Sequence, residues 1–432
     1  MLRRIFAFPL LIIGALVVAL VVSGCSPQEQ PPAAVEGTPA PAPTEPSPPT
    51  DDEATEPVGP VQPAGTPAAL ATGLQAPWSM ARLDSGSTLV SERDTAMIVE
   101  VAADGATRDV GTVEGVAPQG EGGLLGIAVL GDPAGAVENA DPDAAGTDPD
   151  AANADADGTG VADAAPGGPF LYAYFTSADD NRVVRMPLEG DPGSYTFGAA
   201  ETVLTGIPKA GNHNGGRIAF GPDGALYVTA GDASNEDSAQ DPSALSGKIL
   251  RMNPDGSVPD DNPIAGSLTY SYGHRNSQGI AWDDDGQLWA AEFGQNTWDE
   301  LNVIEAGGNY GWPIVEGQGT ADGMINPVYQ WPTSDASPSG LAIVRDTIFM
   351  AGLGGERLWV IQTGTAGAEG EFVDGELTAV GYFVEEFGRI RDVTAGRDGS
   401  VWMLTNNTDG RGSPREGDDK LIQVDLTPLA GS

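Results

Sequence analysis

GGRIAFGPDGALYVTAGD, running from Gly215 to Asp232, is two short β-rich runs joined by a Pro-Asp-Gly turn. Alternating apolar residues on either side of an Asp-Gly pair predict a β-hairpin. The same phrase returns as QGIAWDDDGQLWAAEFG from Gln278 and as RDVTAGRDGSVWMLTNN from Arg391. Looser copies are APWSMARLDSGSTLVSERD from Ala76, GGLLGIAVL (Gly122 to Leu130) with FLYAYFTS (Phe170 to Ser177), and SGLAIVRDTIFMAGL from Ser339. Units recurring at roughly 50 to 65 residues lie in the range of propeller blades and solenoid repeats. A further run follows the hairpin in several units, such as GKILRMN and RLWVIQ, which predicts four strands per unit. The expected fold is therefore all-β, a six-bladed β-propeller of four-stranded antiparallel blades. The run ATGL near Ala71 and the terminal KLIQVDL are expected to complete one blade from both chain ends.

Outward from the repeats, the chain divides by composition. Residues 1–24 read as a lipoprotein signal peptide: Arg3 and Arg4, an apolar run from Pro9 to Val22, and the small-residue sequence Val22-Ser23-Gly24 before Cys25. That apolar run is shorter than the ~20 residues of a spanning helix. Cys25 is the single cysteine, which excludes an intramolecular disulfide and suits a lipidated first mature residue. The expected location is extracytoplasmic, anchored to the cell membrane by lipid alone. Residues 25–67, rich in Pro, Ala and acid, are expected to be a disordered linker, and 68–432 the folded body. Residues 131–168 interrupt the second unit with a disordered acidic insert. In it Asn153, Asp155, Asp157 and Gly158 imitate half of a calcium loop, but Ala164 stands where the closing glutamate belongs.

The formal charge is -42, from 20 basic against 62 acidic residues, which argues against nucleic acid as a partner. Only two histidines occur, in Asn212-His213-Asn214-Gly215-Gly216-Arg217 and Gly273-His274-Arg275-Asn276. Imidazole is the side chain suited to proton transfer near neutrality, so these phrases locate any such chemistry. Both precede a first-strand pattern in successive units, which predicts that they face the same end of the channel.

Five phrases in order, GNHNGGRIAFGPDGALYVTAGD (Gly211 to Asp232), SGKILRMNPDGSVPDDNP (Ser246 to Pro263), YGHRNSQGIAWDDDGQLWAAEFG (Tyr272 to Gly294), DELNVIEAGGNYGWP (Asp299 to Pro313) and FGRIRDV (Phe387 to Val393), resemble the glucose/sorbosone dehydrogenase family. Those are soluble six-bladed quinoproteins that use pyrroloquinoline quinone (PQQ) and calcium. The resemblance implies oxidation of an aldose at its anomeric hydroxyl to a lactone, with hydride passing to the quinone and electrons onward to an unidentified acceptor. By the same resemblance His213 is the base, Asp232 orients it, and Arg275 and Asn276 contact the quinone. Arg389 and Arg391 face the cofactor's carboxylates, Trp331 and Thr333 lie over its rim, and His274 holds its loop. The calcium that bridges protein and cofactor falls at Gly294 and Gln295, and a second calcium at Glu300 and Tyr310.

Three positions depart from the family pattern. Glu121 stands where many members carry glutamine, at the cofactor-binding surface, Gly354 where some carry lysine, and Gln295 where proline is usual. Two alternatives stay open at this point: a propeller that binds without catalysing, favoured by Glu121 and Gly354, and a calcium-dependent lactonase on a similar scaffold.

Overall fold

The computed structural model describes residues 59–131, 169–362, 377–396 and 398–429. The expected signal peptide, Cys25, most of the linker and nearly all of the acidic insert lie outside these residues. Six antiparallel sheets follow one another along the chain. Blade one holds Pro77–Arg82, Thr88–Glu92, Met97–Val101 and Thr107–Thr112. Blade two holds Leu124–Leu130, Phe170–Thr176, Asn181–Glu189 and Glu201–Ile207, with the short Thr196–Phe197 beside its third strand. Blade three is Ile218–Phe220, Leu226–Ala230, Lys248–Met252 and Thr269–Tyr272, and blade four Ser277–Trp282, Leu288–Glu292, Trp298–Ile304 and Tyr329–Pro332. Blade five is Pro338–Val344, Thr347–Gly352, Arg357–Gln362 and Thr378–Tyr382. Blade six takes Ile390–Ala395, Val401–Thr405 and Lys420–Pro428 from the C-terminal end and Val61–Thr72 from the other, so one sheet closes the ring.

The repeated turn has one geometry. Gly224, Gly286 and Gly399 take φ of 75°, 81° and 75°, a left-handed conformation that glycine adopts without Cβ strain. In each case the glycine N–H closes back on the residue three before it. The second strands, LYVTA, LWAAE and VWMLT, are buried along their whole length. Both faces of every blade are covered, so these strands run apolar with little alternation. The core accordingly forms six apolar clusters among the described residues, one per blade-to-blade interface, such as Leu89, Ile98, Ile127 and Phe175 between blades one and two.

One expected boundary moves. The closing strand begins at Val61, inside the stretch assigned to the linker, and Val61 is buried with its N–H on Thr347 Oγ1 at 2.9 Å. An outermost strand needs only backbone pairing on one side and tolerates Pro63 and Pro67, so VQPAGTP carries no apolar signal for its role. The folded body therefore includes Val61–Thr72, part of which was assigned to the linker.

Gly131 and Pro169, which flank the insert, are neighbours: a Cβ on Gly131 would lie 3.4 Å from the Pro169 Cα. Replacing 132–168 by a two-residue turn is therefore expected to leave the melting temperature within a few degrees of the parent. A fall of ten degrees or more by calorimetry would mean that the insert packs on the body.

Candidate active site

The two histidine phrases meet at the head of blades three and four. His213 adopts φ 57°, and the Gly231 backbone packs so close to its carbonyl that no side chain fits between them. Asp232 N–H donates to the Arg275 carbonyl at 2.8 Å, which fastens one phrase to the other. His213 Nδ1 lies 2.8 Å from Asp232 Oδ1, and Asp232 is buried. Such a contact holds the ring proton on Nδ1 and leaves Nε2 as the basic nitrogen. His274 is wholly buried, held by Ser271 Oγ and Glu292 Oε2 at 2.8 Å each and stacked on Tyr310. Both of its ring nitrogens are thus engaged within the fold. Glu292 Oε1 also accepts the N–H groups of Arg275 and Asn276, so this carboxylate anchors their loop.

His213 lines a cavity of about 380 Å³ over the channel, whose other walls include Arg93, Arg275, Arg389, Arg391 and Arg411, with Trp78 beneath. Five of the chain's 20 basic residues converge there, in a protein with 62 acids. Three acids, Glu121, Asp299 and Asp409, share the lining. Asp409 Oδ2 sits 3.1 Å from Arg389 Nη2 and 3.7 Å from Arg391 Nη2, and its carbonyl accepts Arg93 Nη2 at 3.1 Å. Burial alone would raise the Asp409 carboxyl, but the arginines outweigh it and hold the group below its ordinary value. Arg391 also donates to Gln278 Oε1 at 2.8 Å and Asn406 Oδ1 at 3.3 Å. Burial presses this guanidinium down to about 9, with Asp409 opposing the shift, so it remains a cation at neutral pH. The Nε atoms of Arg275, Arg389 and Arg391 are buried and have no hydrogen-bond partner. Buried donors without acceptors cost free energy, and these three point to a ligand rich in anionic oxygen.

Gly294 and Gln295 line the same cavity. Gly294 N–H donates to Asp299 Oδ1, while the N–H groups of Gln295, Asn296, Thr297 and Trp298 converge on Glu316 Oε1 at 2.7 to 3.3 Å. A loop whose N–H groups gather on one carboxylate turns its carbonyls away from it. The Gln295 bond is one that proline could not make. Asp299, beside this loop, is pushed up to about 6 by burial. Glu300 and Tyr310 lie deeper, outside the cavity lining. Tyr310 hydroxyl donates to the Val303 carbonyl and accepts from Glu305 N–H, and Glu300 accepts from Gly317 N–H and Asn302 Nδ2.

Glu300 pairs in register with Glu292, and burial together with that neighbour pushes its carboxyl up to about 8 from an ordinary 4.5. The unfolded chain releases this proton near 4.5 and the folded chain retains it, so the native state loses stability as pH rises between those values. In a chelating buffer the melting temperature is expected to fall from pH 5 to pH 8, and Glu300→Gln to flatten that slope, by on the order of a few kcal/mol at pH 8. Parallel slopes in both proteins would remove Glu300 as the cause.

The glucose/sorbosone dehydrogenase profile matches residues 74–135 and 164–415, most of the propeller. The chain belongs to that family. An aldose sugar dehydrogenase of Streptomyces coelicolor, solved with PQQ bound, superposes with a TM-score of 0.71 at 45% identity over 85% of this chain and 98% of that one. The aldose sugar dehydrogenase of Escherichia coli strain K12 is 33% identical over 240 residues, 48% of this chain and 62% of that protein. An uncharacterized protein of Synechocystis is 30% identical across 78% of this chain and 83% of its own length.

Within this dehydrogenase family pattern, nine of the expected residues line the cavity: Glu121, His213, Arg275, Asn276, Gly294, Gln295, Thr333, Arg389 and Arg391. Trp331 does not. It lies in the outermost strand of blade four, 3% exposed in the apolar cluster between blades four and five, against Tyr329 and Trp359. Strand alternation sends its ring into the interface, whereas the chain leaves the sheet at Thr333 and reaches the cavity. Arg389 precedes its strand rather than lying in it, so only Arg391 is a strand residue. Glu121, which departs from the family's glutamine, has partners for both oxygens: Oε2 accepts the His213 N–H at 2.9 Å and Oε1 meets Arg411 Nη2 at 2.8 Å. A Cβ at Gly354 would press on Ser337 Oγ, so a lysine there would have to displace that side chain. Arg93, Arg411, Asp409, Asp299 and Trp78 went unseen in the sequence. Asp299, Trp78 and Arg93 stand inside quoted phrases but at positions to which no role was attached, Asp409 and Arg411 stand outside them, and only the ring brings blades one and six beside blade four.

Proposed function

We propose that this protein is a PQQ- and calcium-dependent dehydrogenase that oxidises the anomeric hydroxyl of an aldose to the lactone. The observation that carries this reading is the His213–Asp232 pair at the edge of an arginine-walled cavity whose Nε donors of Arg275, Arg389 and Arg391 lack acceptors. PQQ is an anionic tricarboxylate, so its chemistry suits those donors. Arg389 and Arg391 would hold carboxylates, Arg275 and Asn276 the quinone edge, and Thr333 the rim. The carbonyls of Gly294 and Gln295, with Asp299 nearby, would supply oxygen to a calcium ion.

When bound, the quinone supplies a carbonyl carbon that accepts hydride from the anomeric carbon. His213 Nε2 takes the proton of the sugar's anomeric hydroxyl, so the C–O bond becomes a carbonyl as the C–H pair of electrons departs. Asp232 keeps the opposite ring nitrogen protonated and stabilises the imidazolium that results. The Arg275 guanidinium stabilises negative charge growing beside it. Glu121 would hold the His213 backbone, with its carboxylate paired to Arg411. A lactonase would require a group of side-chain metal ligands, and among the described residues no three His, Cys, Asp or Glu gather for that role. Lipidation at Cys25 would place the enzyme outside the cytoplasm at the membrane, passing electrons to an acceptor there.

Purified protein stripped with chelator is expected to reduce an artificial dye with aldoses only after both PQQ and calcium are returned. Equal activity with magnesium, or with no metal while calcium fails to bind, would overturn the calcium assignment. No oxidation of any sugar in a broad panel, with PQQ demonstrably bound, would overturn the reaction.

A further inference from the structure

Asp232 carries more than His213. Its Oδ1 accepts from His213 Nδ1 and from Ser234 N–H, each at 2.8 Å, and its Oδ2 accepts from the indole Nε1 of Trp312 at 2.9 Å. Trp312 is 7% exposed, in the loop after the third strand of blade four. Its own N–H donates to the Gly273 carbonyl at 3.0 Å, and its carbonyl accepts Gln240 Nε2 at 2.7 Å, so the indole has little freedom to turn. The face of the same indole lies 5.5 Å from the Arg275 guanidinium carbon. One side chain therefore touches the carboxylate behind the base with its edge and the cavity arginine with its face.

We propose that Trp312 is a positioning residue that lowers the basicity of His213 and locks the base to the Arg275 wall; this rests on the reading of His213 as the base. A donor on a carboxylate stabilises its charge and weakens its pull on a neighbouring cation. With the indole N–H in place, Asp232 orients the imidazole while sharing its charge with a second donor. The other charges facing His213 are Glu121, on its backbone N–H, Arg411, paired to Glu121, and Arg275, beyond Asp232. None of these touches Oδ2, so the indole acts on that oxygen alone.

The test is Trp312→Phe in the full chain, which deletes the N–H and leaves a ring under Arg275. Only two histidines occur and His274 is wholly buried, so the His213 imidazole titrates as a resolved signal by NMR without cofactor or substrate. The expected result is a rise of its midpoint by about half to one pH unit, with the acidic limb of kcat following and PQQ affinity changing less than about threefold. Trp312→Ala, which removes the ring as well, is expected to weaken PQQ in addition. In the wild type the Trp312 indole N–H resonance should shift with the His213 midpoint, a readout that does not depend on the variants folding. An unchanged or lowered midpoint in Trp312→Phe, or an indole N–H that ignores the titration, would overturn the role of Trp312. A wild type that oxidises no sugar would sink the proposed reaction but leave this titration to be judged on its own.

Discussion

His213→Ala is expected to lower kcat by about 100- to 10,000-fold, the usual contribution of a positioned general base. The variant should still bind PQQ, because the donors proposed to anchor it belong to Arg275, Arg389 and Arg391 and not to the imidazole. Folding should also persist: His213 sits in a loop, and Asp232 loses one donor while keeping Ser234 and Trp312. Single-turnover bleaching of bound quinone by excess sugar separates the steps. Near-normal bleaching in the variant would remove His213 from the proton transfer, whereas loss of bound PQQ would move it to cofactor binding.

Arg391→Ala is expected to weaken PQQ binding by about 10- to 150-fold, the worth of one charge-assisted hydrogen bond of roughly 1.5 to 3 kcal/mol. Arg391 is the deepest of the cavity arginines, and its removal leaves Asp409 still paired with Arg389, so the fold does not inherit a stranded charge. Arg391→Lys should recover only part of the affinity, since an ammonium cannot present the planar fork that a carboxylate accepts. Arg411→Ala is the contrast, because that side chain is 60% exposed and engages Glu121. Titration of quinone against all three variants decides the point. Unchanged affinity in Arg391→Ala would reduce this arginine to the partner of Asp409 and Gln278.

The hairpin phrase at Gly215 and its copies were enough to state the fold, because a blade is a local object: alternating residues and an Asp-Gly turn lie within twenty positions of one another. His213 drew notice as one of only two histidines, whereas the roles expected of Asp232, Arg275 and Asn276 came from the resemblance of their phrases to the family and not from periodicity. Val61–Thr72 was partly hidden, as an edge strand asks the sequence for nothing beyond backbone N–H and carbonyl groups. Trp331 was misplaced because a tryptophan two residues from a cavity-lining threonine reads the same in either direction, and only the register of the strand sends one inward to the blade interface.

The sequence by itself determined the repeat, the number of blades and the closing of the ring from both termini. Only the tertiary structure decided how the charges balance: that Arg411 answers Glu121, that Asp409 gathers Arg93, Arg389 and Arg391, and that Trp312 reaches Asp232. Arg389 lies only 20 residues from Asp409, but the Trp312–Asp232 and Arg93–Asp409 partners stand 80 and 316 residues apart in the chain. Local periodicity reports which face a residue takes within its own blade, but electrostatic pairing depends on distances across the channel, and those exist only once the ring has closed.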